Sequence, residues 1–317
     1  MNTIYFLFQQ TMYFFIPLLV VALAGMFSER GGVTNIALEG TMIIGAFGGV
    51  MVINLLGGAV TGQMLLILAL LAAGFTGLVF SMLLAYSAIS LNANQIIAGT
   101  ALNLLAPAFV VFMARTMYGV QQITFANTFR IEKMPVLGDI PFLGPLLFQN
   151  TYLTTFLGVL IFFCTWVILY KTKFGLRLRA CGEHPQAADS VGVNVYKMRY
   201  AGVMLSGFLG GIGGLIFVVP TSTSFNASVS GYGFLALAVL IFGQWRPGRI
   251  FLAALFFGVA KMLASAYSGI PILSGLPISN NIYKMIPYIA TLIALALASK
   301  KSRAPKAVGQ PYNPGRR

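Results

Sequence analysis

Acidic and metal-ligating side chains are nearly missing from this chain, which has six Asp and Glu residues, one histidine and two cysteines among 317 positions. Metal sites built from His, Cys, Asp and Glu lack the material, and a Ser-His-Asp arrangement would rest on His184 with Asp139 or Asp189. The dipeptide Gly-Lys does not occur, so there is no phosphate-cradling G-x-x-x-x-G-K-[ST] loop and any ATP hydrolysis has to come from another chain. Cys164 falls in an apolar run and Cys181 in a basic one, which sets them at different depths and argues against a bridge. No cofactor, no metal and no enzymatic activity is expected. His184, beside Pro185, reads as a solvated or partner-contacting side chain rather than a proton shuttle.

Charge of either sign is also rare. At 8% charged residues, against about 25% in soluble domains, the chain reads as an all-α polytopic transmembrane bundle. Apolar runs at 8–27, 36–56, 60–86, 95–117, 150–170, 200–219, 232–244, 250–268 and 282–298 give about nine segments, one of them short. The N-terminus lacks a basic region and a small-residue cleavage site, so residues 1–27 are expected to stay as the first span. Placing the stretch 171–199 in the cytoplasm leaves fifteen Lys and Arg inside and three outside, with Lys261 and Lys284 within spans. This threading predicts an outside N-terminus and a cytoplasmic C-terminus. It also sets a transmembrane domain over 1–299, an external loop over 118–149 and a disordered basic tail over 300–317. The net charge of +14 then reflects orientation in lipid, and nucleic acid is not an expected partner.

Polar residues inside apolar runs mark the positions worth attention. The stretch TSTSFNASVSGYG precedes the short segment, and broken segments line protein-enclosed cavities because irregular backbone cannot face lipid. Asn94, Gln95 and Asn103 lie in a run of membrane grade, either along a translocation path or bonding neighbouring helices. Lys261, deep in its span, is costly there unless it pairs or faces water, so contact with Glu39 and exposure to a solute cavity are both open. Glu39 itself reads as a structural pin near the start of its span. Gly207/Gly211 and Gly210/Gly214 give small-residue ridges that let helix backbones approach closely.

The basic stretch KTKFGLRLRACGEHPQAADSVGVNVYKMR, residues 171–199, can fold only in water or against a protein. Gly182 and Pro185 can turn the chain, Ala187 and Ala188 begin a short helix able to enter a cleft, and Gly192 can end it. Continued to CGEHPQAADSVGVNVYKMRYAGVMLSGFLGGIGG, it resembles the coupling segment and following helix of permease subunits of ATP-binding cassette importers for branched-chain amino acids, ribose-type sugars and nucleosides. RGGVTNIALEGTMIIGAF, NQIIAGTALNLLAPA and GYGFLALAVLIFGQWRPG resemble the same group in order, so the likeness spans nearly the whole chain. Within the group, the start at Glu39-Gly40, the Asn94-to-Pro107 segment and Trp245-Arg246-Pro247 look most like bacterial nucleoside permeases.

The resemblance implies a multi-pass protein of the bacterial cell membrane that moves nucleosides inward. Its implied partners are ATPase subunits, a second homologous permease and an extracellular solute-binding lipoprotein. Gly182, Glu183, His184, Pro185, Ala187, Ala188 and Gly192 would form the ATPase-coupling loop. His184 stands where the group more often has Asn, and Arg246 adds a charge before Pro247. The alternatives are the sugar or amino acid branch of the group, and an ion-coupled secondary carrier.

Overall fold

The computed structural model describes residues 2–135, 137–141, 143–267, 282–283, 285–287, 289–292 and 304–313, without the side chains of residues 2–4. Long apolar stretches that must satisfy their own backbone in lipid have one local solution, the helix. The long helices are α1 (Asn2–Arg30), α2 (Leu38–Leu56), α3 (Gly62–Ala85, closing in a wider turn over Tyr86–Ser90), α4 (Gln95–Tyr118), α5 (Leu153–Lys171), α8 (Val195–Thr221) and α10 (Pro247–Ala266). Two short ones, α6 (Lys173–Glu183) and α7 (Pro185–Ser190), lie between α5 and α8. Each of the seven long helices is apolar enough to cross a membrane. The eighth apolar element, α9 (Tyr232–Phe242), has 11 residues, about 16 Å of helix, or half a bilayer. Of the nine expected segments, the last, 282–298, lies partly outside the described residues, as does Lys284.

The centre of the bundle is α1 and α8, each packed on several neighbours, with α2 and α3 completing a tight group. Small residues set the closeness. A Cβ on Gly211 of α8 would come 2.1 Å from the carbonyl oxygen of Ala73 on α3, and one on Gly45 of α2 would come 2.2 Å from the Gly211 Cα. Gly207 meets Ser81, Gly210 faces Thr41, and Gly214 lies on the carbonyl of Met42. The ridge is therefore spent within the chain. Between α3 and α4 on the outer faces, Phe75, Leu105 and Phe112 stay exposed, as a lipid-bathed surface requires.

Two ends can be told apart. At one, β1 (Ile123–Thr124) pairs with β4 (Ser224–Phe225), and β2 (Arg130–Lys133) with β3 (Gln149–Tyr152), both antiparallel. Gln9 Nε2 donates to the carbonyls of Pro145 and Gln149, fastening the 118–149 segment to α1. At the other end lie α6, α7 and residues 304–313. The basic stretch is thus two further helices and the start of α8, not an open loop.

The tail also differs from expectation. Residues 304–313, anticipated as disordered, fold back on α6 and α8, with Pro305, Ala307 and Tyr312 buried. Backbone hydrogen bonds and one aromatic ring hold them, which a test for an apolar face does not register. The remaining tail residues lie outside the described set.

Candidate functional site

Two places in the bundle carry polar groups that lipid would penalise. The first lies where α9 begins. A helix start leaves four N–H groups unpaired, which is costly away from water. Here Glu39, in the first turn of α2, accepts from Gly231 N (2.9 Å, Oε1) and from Gly233 N (2.6 Å, Oε2). The carboxylate thus sits at the positive ends of two helices at once. Gly231 takes φ 77° to turn the chain into α9, and a Cβ on Gly233 would come 2.3 Å from Glu39 N. Glu39 pins the two starts together.

Beside that junction is Lys261, about 21 Å up α10 from its Pro247 end, at the depth of the α9 start. Its Nζ lies 5.4 Å from the ring centroid of Tyr232. Among the described residues it forms no ion pair, so Glu39 is not its partner. It lines two cavities of about 480 and 470 Å³ that share Ser230. Phe234 and Thr291 complete the first, and Gln10, Tyr13, Thr221 and Ser265 contribute to the second. Tyr232 also lines the second, with its hydroxyl buried and without a partner among the described residues. Among the described residues the paired cavities offer hydroxyls, an amide, one cation, aromatic faces and the apolar Leu235, Ala238, Pro287 and Leu292, and no carboxylate.

The three amides expected along the path are used elsewhere. Asn94 caps α4 by accepting from Ile96 N and Ile97 N. Gln95 Oε1 accepts from Thr34 N, while Asn103 accepts from Gly40 N and donates to the Ile36 carbonyl. All three are absent from the walls of the cavities around Lys261. Gln95 and Asn103 instead hold the non-helical segment 31–37 that leads from α1 into α2, and Asn35 adds a bond to Ser206 Oγ (2.8 Å). That segment needs side-chain partners because it has no helical ones.

The second place is the end formed by α6 and α7. Cys181 and Gly182 are buried, and a Cβ on Gly182 would come 2.3 Å from the Arg30 carbonyl oxygen. Gly182 therefore packs inward, and a bulky replacement there breaks this contact before it can block any partner. Glu183 pairs with Arg30 at 3.6 Å, and Arg30 also donates to the Trp245 carbonyl at 2.8 Å. The Trp245 indole donates to Glu29 Oε2 at 2.6 Å. The ends of α1, α6 and α9 thus meet in one cluster.

In α7, Pro185 and Ala188 turn inward, and Ala188 packs with Cys181, Val195 and Tyr312. His184, Gln186, Ala187, Asp189 and Ser190 face out, followed by Val191 at 78% exposure and Gly192 at φ 82°. Of the two alanines read as entering a cleft, only Ala187 is outside. An exposed apolar tip on a short helix, mounted on a bonded cluster, is suited to seat in another protein.

A sequence model described as the branched-chain amino acid transport system / permease component matches residues 7–295. The chain belongs to this permease family. It is 46% identical over 310 residues to the guanosine ABC transporter permease protein NupQ of Bacillus subtilis, covering 97% of this chain and 96% of that one. It is 42% identical to the nucleoside ABC transporter permease protein NupC of Lactococcus lactis, covering 98% of each. A putative glucose ABC transporter permease of Haloferax volcanii is 31% identical, over 93% of this chain. No solved structure matches.

Several residues that organise this permease were not singled out from sequence. Glu29 lies 216 positions from Trp245, which was read only as part of a family motif, and Arg199, 1% exposed, reads as one more loop cation. Tyr232 had a usable signal, as an aromatic beside a glycine at the start of the short apolar run.

Proposed function

We propose that this chain is the membrane-spanning permease of an ATP-driven importer that carries nucleosides into a bacterial cell. The supporting observation is end-to-end identity of 46% and 42% with two permeases named for guanosine and nucleosides. Two nucleotide-binding domains of ATPase subunits drive the assembly from the cytoplasm, one of them docking on the outer face of α7. A second homologous permease and an extracellular lipoprotein receptor complete the assembly, the receptor seating at the end that carries 118–149. The N-terminus lies outside, and about nine spans cross the bilayer.

The cavities around Lys261 supply the solute path. Hydroxyls of Ser230 and Thr221 suit a pentose, the face of Phe234 suits a base, and the Lys261 ammonium donates to ring carbonyl or nitrogen acceptors. The absence of a carboxylate there favours a neutral solute over a cation. A sugar importer is the second reading, favoured by the Haloferax relative.

The deciding experiment reconstitutes the complex in liposomes and follows radiolabelled guanosine. Uptake is expected to need ATP and receptor, to be competed by inosine and adenosine, and to ignore glucose and leucine. Competition by glucose alone would move the chain to the sugar branch. Uptake without any ATPase would make it a secondary carrier. Lys261→Met should insert normally and transport poorly, and normal guanosine uptake by that variant would remove Lys261 from the path.

A further inference from the structure

We infer that residues 304–313 form a strap that makes α6, α7, the start of α8 and the 31–37 segment move as one body, so that motion imposed at α7 reaches Glu39. The inference rests on the reading that α7 is the face on which the ATPase docks.

The strap bonds to α6, α8 and the 31–37 segment and packs on α7. Ala307 N donates to the Gly182 carbonyl (2.9 Å), and Gly309 N to the Gly32 carbonyl (3.3 Å). Arg199 Nη1, on α8, donates to the Gln310 carbonyl (3.0 Å). Tyr312, 4% exposed, packs against Ala188 of α7 and Val195 of α8, edge-on to Tyr196. The segment is turned in advance. Pro305 and Ala307 carbonyls accept from Val308 N and Gln310 N, and Gly309 takes φ 78°.

Arg199 shows why this contact is more than a resting place. Its guanidinium is buried beneath the strap, with Nε and Nη2 lacking partners among the described residues. The Gln310 carbonyl and the Tyr312 ring, 5.9 Å away, are the groups that receive it. A buried cation this poorly supplied depends on every partner it has.

From the strap the connection runs inward through the non-helical segment 31–37. Gly32 is bonded to the strap, Thr34 N to Gln95, Asn35 to Ser206, and Glu39 follows at the start of α2 with α9 in its grip. Among the described residues, the ion pair between α6 and α1 is Glu183–Arg30 at 3.6 Å, whose acid is 41% exposed. Such half-solvated pairs contribute little. The strap is the stiffer linkage.

The test uses the full complex with its ATPase and receptor in liposomes, with radiolabelled guanosine as solute. Two variants are compared with the parent chain: one ending at Arg303, and Tyr312→Ala, which keeps the strap's backbone should the shorter chain fail to fold. The ATPase is expected to co-purify with both and to keep hydrolysing ATP. Guanosine carried per ATP should fall about tenfold for the truncation and about fivefold for Tyr312→Ala, the range of ordinary coupling energies. An unchanged ratio overturns the inference. Loss of the ATPase from the complex overturns it too, because the segment would then serve docking. Ala187→Trp tests the underlying reading separately: it should release the ATPase, and full retention would remove α7 as the dock.

Discussion

A carboxylate enclosed among helices is costly until its oxygens are bonded, and Glu39 has both oxygens engaged by the first N–H groups of α9. Glu39→Ala would strand those donors in a region without water, at a loss of about 3 kcal/mol or more, while Glu39→Gln keeps one acceptor and should lose about half as much. Thermal unfolding in detergent gives the order, and equal melting of both variants would deny the pin. The same reasoning applies at the other end of α9. Trp245→Phe removes the indole donor from buried Glu29 yet leaves the main-chain carbonyl that receives Arg30, so about 1–3 kcal/mol should be lost. Arg30→Ala should cost more, because it strips the Trp245 carbonyl and Glu183 together.

At the scale of elements, what the sequence made legible was what depends on local pattern. The long spans follow from run length, and the short α9 was readable because Ser and Gly precede a run too brief to cross. The glycine ridge of α8 was readable from spacing, although the helices it meets were not. That ridge supports a sharp expectation. Gly211→Ala puts a methyl 2.1 Å from the Ala73 carbonyl oxygen, which only a shift of α3 relieves, so about 2–3 kcal/mol should be lost and folded protein in membranes should fall. Gly58→Ala, with open space around it, is the control and should match the parent. The strap was illegible for the opposite reason. Its residues are polar or small, and its bonds run to positions 32, 182 and 199, which no local pattern connects. The roles of Gln95 and Asn103 were hidden on the same ground: an amide in a span signals a need for partners, and whether these are solute or backbone depends on segment 31–37, whose course appears only in three dimensions.

For the molecule as a whole, the arrangement of charge and the arrangement of structure have the same axis. Arg30, the cations of α6, Arg246, Arg249 and Lys306 gather at the end that carries α7 and the strap, whereas Arg115, Arg130 and Lys133 go with the paired strands at the other. An ATPase can work only on the side that holds ATP, so the proposed docking at α7 requires that end to face the cytoplasm. Native Cys181 is a poor reporter of this, since it is buried and that burial pushes its thiol above the ordinary range, away from the reactive thiolate. Reporter cysteines at exposed Ala187 and Gln122, in a background with Cys164→Ser and Cys181→Ser, give a clean comparison of the two ends. An impermeant maleimide applied to intact cells should label the Gln122→Cys protein and spare the Ala187→Cys protein until the membrane is opened. The reverse pattern would place α7 and the strap outside, beyond the reach of any ATP-hydrolysing partner, and neither the docking role nor the transmission through segment 31–37 would survive it.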